Sequence, residues 1–256
     1  MTGVQTCALP ISTIETMVAE GATTDETAES LTADEAVCSV MRMRESIYRL
    51  LSSLYFKELT PEQIQFLAEL DLSEIADLNP HIAEGAANIK HFLHRVNSGT
   101  REDLAVDYAH TFLAAGSSKE ESRACPYESV FTSRDGLIMQ EARDDVYRYM
   151  LAEHLCPDED LHIPEDHIAF VFEFMANLCA RYVEASTAGN TQEAKRLFKV
   201  QRDFFGVHIG GWIHLLCDAI ENCCRTKFYA GVSQITRGFV EVEYELFDEM
   251  AQAVGV

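Results

Sequence analysis

Large apolar residues recur at intervals of three and four along most of this chain, and that spacing constrains its fold more than any other feature. From Met43 to Tyr55, for example, the apolar side chains fall on one face of a helix. No two segments show the polar–apolar alternation of paired, half-buried strands, and the sequence contains no internal repeat. The sequence therefore predicts an all-α protein with about eight to eleven helices in a single globular domain.

Helix-start signals divide the chain into segments. Thr32–Glu35 has the pattern of a capping box, and Thr60-Pro61 and Asn79-Pro80 each place a capping side chain before a proline at the first helical position. Thr100 is predicted to cap a further helix, and Pro164 to begin another. The predicted helices cover residues 32–55, 61–70, 80–96, 100–115, 137–155, 164–188, 191–205, 211–224 and 227–253.

Three segments lack this periodicity. Residues 117–135 contain Pro126 and no sustained period, which predicts a long loop, and loops of this length in compact domains are usually functional. Residues 13–31 are rich in Thr, Glu, Ala and Ser, which predicts a flexible acidic tail before an all-helical domain at 32–253. Residues 2–11 resemble the translation of a sequencing adapter, so we interpret residues 1–12 as artefactual.

The charge balance restricts the class of partner. The chain has 42 acidic and 20 basic residues, a formal charge of −22, which argues against binding to nucleic acid or to an anionic membrane and favours a basic partner. Its eight cysteines are scattered without regular spacing, which indicates a reducing compartment. We find neither a secretory signal nor an apolar stretch of the roughly 18–20 residues that a membrane span needs. These features predict a cytoplasmic protein that is not inserted into a membrane.

The sharpest polar cluster is Pro164-Glu165-Asp166-His167, where a strongly apolar helix is predicted to begin. In one interpretation, Glu165 and Asp166 are acids of a first helical turn, stabilised there by the helix dipole. In the other, Asp166 and His167 project beside the long loop and offer a carboxylate and an imidazole to a basic peptide. Spacing alone leaves both interpretations open.

A metal site is an alternative interpretation of the acidic residues and histidines. Glu159 and His162 form one Glu-x-x-His pair, and a helical metalloenzyme could combine them with Asp107 and His167. Carboxylate-bridged di-iron bundles require two such pairs, and only one is present. No zinc spacing, phosphate-binding loop or nucleophile motif occurs, so we predict no catalytic and no metal-binding residues. A helical scaffold without a role in export is the remaining alternative.

Four segments, in this order, resemble the TorD/DmsD family of redox-enzyme maturation chaperones, and the likeness extends over roughly residues 40–250. The segments are Tyr48–Phe56 with Arg49, Asp107–Leu113 with Tyr108 and Phe112, Cys125–Phe131, and Pro164–His167. A closing segment at Lys227–Tyr229 is similar as well. Ile163 stands where the family usually has Glu, Thr111 where it usually has Leu, and Gln140 where it tends to have Gly.

The resemblance implies a cytoplasmic chaperone, not a catalyst, that binds the twin-arginine leader and the apo-form of a molybdoenzyme catalytic subunit. Such a protein delays export and aids insertion of the client's molybdopterin cofactor. The chaperone itself is expected to carry no cofactor. Whether it binds a nucleotide stays open. A monomer or a homodimer is expected. Asp166 and the acidic body would meet the leader's arginines, and aromatic side chains its apolar part. The residues implied in leader binding are Arg49, Tyr108, Phe112, Pro126, Tyr127, Phe131, Pro164, Glu165, Asp166 and His167.

Overall fold

The computed structural model describes residues 5–7, 33–113 and 124–255, and these residues are almost entirely helical. The α-helices are α1 Ala33–Phe56, α2 Pro61–Glu69, α3 Ser73–Ala76, α4 Pro80–Leu93, α5 Thr100–Phe112, α6 Glu128–Thr132, α7 Glu141–Ala152, α8 Ile168–Thr187, α9 Thr191–His208, α10 Ile213–Cys223 and α11 Lys227–Val254. A 3-10 helix spans Glu159–Leu161. The prediction of an all-α, single-domain fold is confirmed.

Capping side chains begin several helices where the sequence placed them. Thr60 accepts a hydrogen bond from the backbone N–H of Gln63, and the Gln63 side chain accepts from the Thr60 N–H, so the predicted cap is confirmed and has the form of a capping box. Asn79 accepts from His81 at the start of α4. These bonds satisfy N–H groups that a helix leaves free at its first turn, which is why the two boundaries were predictable.

Other boundaries differ from the prediction. The helix expected from Pro164 begins four residues later at Ile168, because the chain first makes a turn at Glu165–Asp166, His167 is extended, and the Ile168 N–H donates to the Pro126 carbonyl. The predicted helix at 137–155 is shorter, Glu141–Ala152, and the expected loop at 117–135 contains α6. Thr100 is the first residue of α5, and Gly99 stands at the cap position instead.

One short strand pair was not predicted. Residues Gln5–Cys7 (β1) pair in parallel with Leu155–Pro157 (β2), which makes a sheet of two strands with three residues each. Strands pair through backbone groups, and three residues are too few to show the side-chain alternation by which a strand is predicted from sequence. The remainder of the predicted artefactual segment 1–12 and the predicted acidic tail 13–31 lie outside the described residues.

Helix α8 forms the centre of the core. Nine consecutive residues from Ile168 to Ala176 are buried, as expected for a helix that other elements cover on all sides. It packs against α1 and α9, while α11 packs against α4, α10 and α1. Within 33–113 and 124–255, none of the helices combines the length and apolar character that crossing a membrane requires.

A buried ion pair connects helices α1 and α11 within this core. Arg44 on α1 donates two hydrogen bonds to the Glu243 carboxylate on α11, at 2.6 and 2.7 Å, and both side chains are fully buried. Gln201 on α9 accepts a third bond from the guanidinium at 2.7 Å, and Tyr48 donates to Glu243. The charges are therefore paired and hydrogen-bonded, which is the condition under which buried charges are tolerated.

Candidate functional site

Two segments that are distant in the sequence pair through their backbones at one end of α8. Tyr127 and His167 form an antiparallel bridge. The Ile168 N–H donates to the Pro126 carbonyl at 2.8 Å, and the Glu128 N–H donates to the Asp166 carbonyl at 3.1 Å. The structure thus joins the Cys125–Phe131 and Pro164–His167 segments into one unit, which we call the paired segments.

Asp166 holds this unit together from inside. Its side chain is fully buried, and Oδ2 accepts a hydrogen bond from the Ser129 N–H at 2.9 Å, at the start of α6. Burial raises the pKa of this carboxyl group. Oδ1 is buried without a hydrogen-bond partner. The carboxylate is therefore directed at the protein's own backbone and does not project toward solvent, contrary to the second interpretation of the sequence.

His167 has a similar inward role. It is the N-cap of α8, and its Nδ1 accepts from the Ala169 N–H at 3.1 Å. Burial lowers the pKa of the imidazole to about 3, so the ring is neutral and Nδ1 keeps the lone pair that the cap needs. Its ring meets Tyr127 edge-on, with the centroids 4.9 Å apart. Glu165 and Asp166 precede the helix, so the interpretation as first-turn acids is wrong as well.

Glu165 links the paired segments to helix α7. Its carboxylate accepts two hydrogen bonds from Arg143, at 2.5 and 2.8 Å, and the Arg143 guanidinium also lies 5.3 Å from the centroid of the Tyr147 ring. These contacts raise the pKa of Arg143, because the carboxylate stabilises its charged form. A bidentate hydrogen bond of this kind fixes the orientation of both side chains.

A groove of about 900 Å³ lies between α7 and the stretch that ends at Glu165. Its apolar lining includes Met139, Tyr147, Leu151, Ile163 and Pro164, and its polar lining includes Arg143, Asp158, Asp160, His162 and Glu165. Met139 and Leu151 are more than half exposed, at 56% and 51%, and the neighbouring Leu137 and Ile138 are exposed too. Exposed apolar residues that cluster with acidic groups are typical of a surface that binds an apolar, basic segment.

Comparison with known proteins identifies the family. A family model described as the nitrate reductase delta subunit matches residues 75–218, more than half of the chain. The chain belongs to the TorD/DmsD family of redox-enzyme maturation chaperones. The chaperone protein TorD of Vibrio atlanticus is 28% identical over 206 residues, which cover 78% of this chain and 92% of that protein. TorD of Vibrio cholerae is 24% identical over 213 residues, 82% and 94% of the two chains, and that of Aliivibrio fischeri is 24% identical over 204 residues, 78% and 92%.

Family membership decides between chaperone and enzyme. The relatives of this TorD/DmsD-family protein are named as chaperones, so the prediction that it is not an enzyme is confirmed. No group of three or more His, Cys, Asp or Glu residues within the described part of the chain is placed to hold a metal ion. Asp107, which the metalloenzyme alternative required, instead accepts from the backbone N–H groups of Arg225 and Thr226, both at 2.8 Å. It serves to position the start of α11.

The other predicted leader-binding residues of this TorD/DmsD-family chaperone lie apart from the groove. Arg49 is mostly buried and pairs with Glu173 at 2.6 Å and with Glu45 at 3.0 Å. Tyr108 and Phe112 are each 3% exposed; the Tyr108 hydroxyl donates to the Tyr55 carbonyl. Both aromatic rings therefore belong to the core.

Within the paired segments the predicted residues lie together. Tyr127 pairs with His167, Pro126 accepts from Ile168, and Phe131 stacks on Trp212 with ring centroids 5.5 Å apart. Their role in leader binding stays a prediction.

The sequence analysis missed the residues of α7 that line the groove. Arg143, Tyr147 and Leu151 recur every four residues and so share one face, while Val146 and Met150 are buried on another. The sequence did contain a signal for this groove. Val146 and Met150 form one apolar face of the helix, Tyr147 and Leu151 form another, and packing into the core explains only one of them. The exposed stretch Leu137–Met139 was likewise predicted to be helical and lies before the helix begins.

Proposed function

We propose that this chaperone binds, in the cytoplasm, the twin-arginine leader and the apo-form of a molybdopterin-dependent oxidoreductase of the DMSO/TMAO reductase type. In this proposal it delays export of the client until the molybdenum cofactor has been inserted. The observation that carries the proposal is the groove beside Pro164 and Glu165, which combines exposed apolar side chains with carboxylates. The names of its relatives support the general role of a chaperone for a redox enzyme.

The chemistry of such a leader matches that of the groove. A twin-arginine leader contains two adjacent arginines followed by an apolar stretch. Met139, Tyr147 and Leu151 offer apolar area to that stretch, and burying one such side chain is worth roughly 1.5–3 kcal/mol. The formal charge of −22 on the whole chain attracts the basic end of the peptide.

Asp166 and His167 act in this proposal as positioning residues. Asp166 holds α6 through the Ser129 N–H, and His167 begins α8, so together they set the position of Pro164 and Glu165 at the groove. A substitution at either residue would disturb the groove without removing a direct contact to the leader.

A calorimetric titration with a synthetic twin-arginine leader tests the groove. We expect Leu151→Ala to weaken binding about tenfold, because it removes apolar area that the peptide would bury. Leu215→Ala is the matched control, since Leu215 is also an exposed leucine, at 40%, but lies on α10 and outside the groove lining. The proposal fails if the unaltered chain does not bind the leader. Equal affinities in the two variants would place binding elsewhere.

Two substitutions of Asp166 separate positioning from direct contact. Asp166→Ala leaves the buried Ser129 N–H without an acceptor, so we expect weaker leader binding together with a loss of about 1–3 kcal/mol in the free energy of unfolding. Asp166→Asn keeps an acceptor oxygen and should retain most of both. Were Asp166→Asn to abolish leader binding in a fully stable protein, the carboxylate would have to meet the leader's arginines directly.

The client itself can be identified with a panel of leaders. Peptides from DMSO/TMAO reductase-like enzymes should bind, and a nitrate reductase leader belongs in the panel because the matching family model is described by that enzyme. The role in maturation requires a cellular test. Cells without the chaperone should accumulate client protein with a reduced molybdenum content.

A further inference from the structure

A second recess lies on the other side of helix α7 from the groove. It has a volume of about 760 Å³, within the range of about 300–1,000 Å³ typical of ligand pockets, and it is bounded by α6, α7 and the end of α9. Its five acidic lining residues are Glu128, Asp135, Glu141, Asp144 and Asp145. Two arginines, Arg134 and Arg148, also line it, and Arg148 already donates to Asp145 at 2.7 Å. We call this recess the acidic pocket.

Two buried polar atoms in the acidic pocket have no hydrogen-bond partner. Among the described residues only four buried side-chain nitrogen or oxygen atoms lack one, and His208 Nε2 and Ser133 Oγ are two of them. Both residues line the acidic pocket. His208 is 1% exposed. Because buried polar atoms are nearly always hydrogen-bonded in folded proteins, two such atoms in one recess indicate a missing partner.

The bonding of His208 shows what kind of partner fits. Its Nδ1 lies 2.9 Å from Glu128 Oε2, so this ring nitrogen is engaged by a carboxyl group of the protein and Nε2 is the ring atom left without a hydrogen bond. Nε2 lies 3.5 Å from Asp145 Oδ2 without forming a hydrogen bond. The pocket therefore places a serine oxygen without a partner and several carboxylates, which are hydrogen-bond acceptors, around one recess. Phosphate-bearing ligands would be repelled.

From these contacts we propose that the acidic pocket binds the guanidinium group of a leader arginine, an inference that rests on the proposed function. A guanidinium supplies five N–H donors in a planar fork and a permanent positive charge, which suits several acceptors at once. A lysine has three donors on one atom and matches this arrangement less well.

The position of the acidic pocket relative to the groove supports this assignment. Gln140, Glu141 and Asp145 line the pocket, whereas Met139, Arg143 and Tyr147 line the groove. Both recesses therefore reach the start of α7, where the sequence neighbours Met139 and Gln140 line the groove and the acidic pocket respectively. An extended peptide crossing at that point would place its arginines in the acidic pocket and its apolar stretch in the groove, in the order in which a leader carries them.

The test compares a leader containing Arg-Arg with the same peptide containing Lys-Lys, titrated against the full chain. We expect the unaltered chain to bind the Arg-Arg form about tenfold more tightly, because only arginine offers the planar fork. The double variant Glu141→Gln/Asp145→Asn should lose this preference while still binding the Lys-Lys form. Ser133→Ala should reduce the preference in the same direction.

A matched control has the same charge change outside both recesses. Glu74 and Asp77 line neither recess, so Glu74→Gln/Asp77→Asn should keep the arginine preference of the unaltered chain. A pocket variant with that same preference would overturn the assignment and leave leader binding in the groove intact. If neither peptide binds, the proposed function fails. In that case, guanidinium binding by the acidic pocket is tested separately by NMR titration with an Arg-Arg dipeptide amide. A shift of the His208 ring signals supports binding in the pocket, and the absence of a shift overturns it.

Discussion

At the scale of single residues, two buried titratable groups of the paired segments act on the protein's own backbone. Asp166 accepts from Ser129 and His167 from Ala169, and both side chains are almost completely buried. Their function in the fold is therefore tied to their protonation state. For His167 the requirement is strict, because protonation of Nδ1 would remove the acceptor that caps α8.

This coupling predicts a pH-dependent stability. The pKa of His167 is about 3 in the folded chain and about 6.5 in an unfolded one, so between these values only the unfolded chain binds the proton. Stability is then lost as the pH falls through this window. His167→Asn keeps an acceptor and does not titrate. Between pH 7 and pH 4.5, the unfolding free energy of the unaltered chain should fall by about 2 kcal/mol more than that of the variant.

Urea unfolding of both proteins across this range measures the difference. Burial raises the pKa of Asp166, Glu128 and Glu173, and each of these groups has the opposite effect, with stability lost as the pH rises. They are present in both proteins and cancel in the comparison. Parallel pH curves would show that His167 is accessible to protons in the folded chain.

At the scale of helices, close approach of α4 and α11 depends on two glycines. A Cβ atom at Gly85 would lie 2.5 Å from the Gly231 carbonyl oxygen, and one at Gly231 would lie 2.6 Å from the Gly85 carbonyl oxygen. The two backbones therefore touch, and no side chain fits between them. This contact brings α4 onto the helix that also carries Glu243, and so onto the core.

Alanine substitutions distinguish this packing from helix propensity. Gly85→Ala should lower the free energy of unfolding by about 1–3 kcal/mol, because the helices must move apart. Gly206, in α9, has no neighbouring atom within 4 Å of the place that an added methyl group would occupy, so Gly206→Ala should instead raise it by about 0.5–1 kcal/mol. Thermal or urea unfolding gives both values. A neutral Gly85→Ala would mean that α4 and α11 are not in contact in solution.

At the scale of the whole molecule, the charge determines how a partner approaches. A formal charge of −22 produces a negative potential over the surface, which accelerates the encounter with a basic peptide and is screened by salt. The apolar contacts in the groove are not weakened in this way. Charge should therefore act mainly on the association rate and the groove on the dissociation rate.

Stopped-flow measurement of leader binding tests this division. Raising NaCl from about 50 to about 500 mM should slow association about tenfold and change dissociation much less. A peptide with both arginines replaced by glutamine serves as the control and should show little salt dependence. An association rate that does not respond to salt would show that the acidic surface has no part in recognition.

The sequence by itself determined most of the long helices, the class of fold and the family. Thr60 and Asn79 mark helix starts through bonds to residues two or three positions away, and the apolar face of α1 follows from spacing within a few turns. Such interactions are local, so a single sequence contains them in full. The four ordered segments likewise lie within the printed chain.

Only the tertiary structure decided what the site residues do. Asp166 and Ser129 are 37 residues apart, and Arg44 and Glu243 are 199 apart, so neither contact has a signature in the spacing of residues. The burial of His167, the groove along α7 and the acidic pocket at His208 depend on the same long-range packing. Burial makes Asp166 and His167 bond to the chain itself, and their part in leader binding stays a prediction.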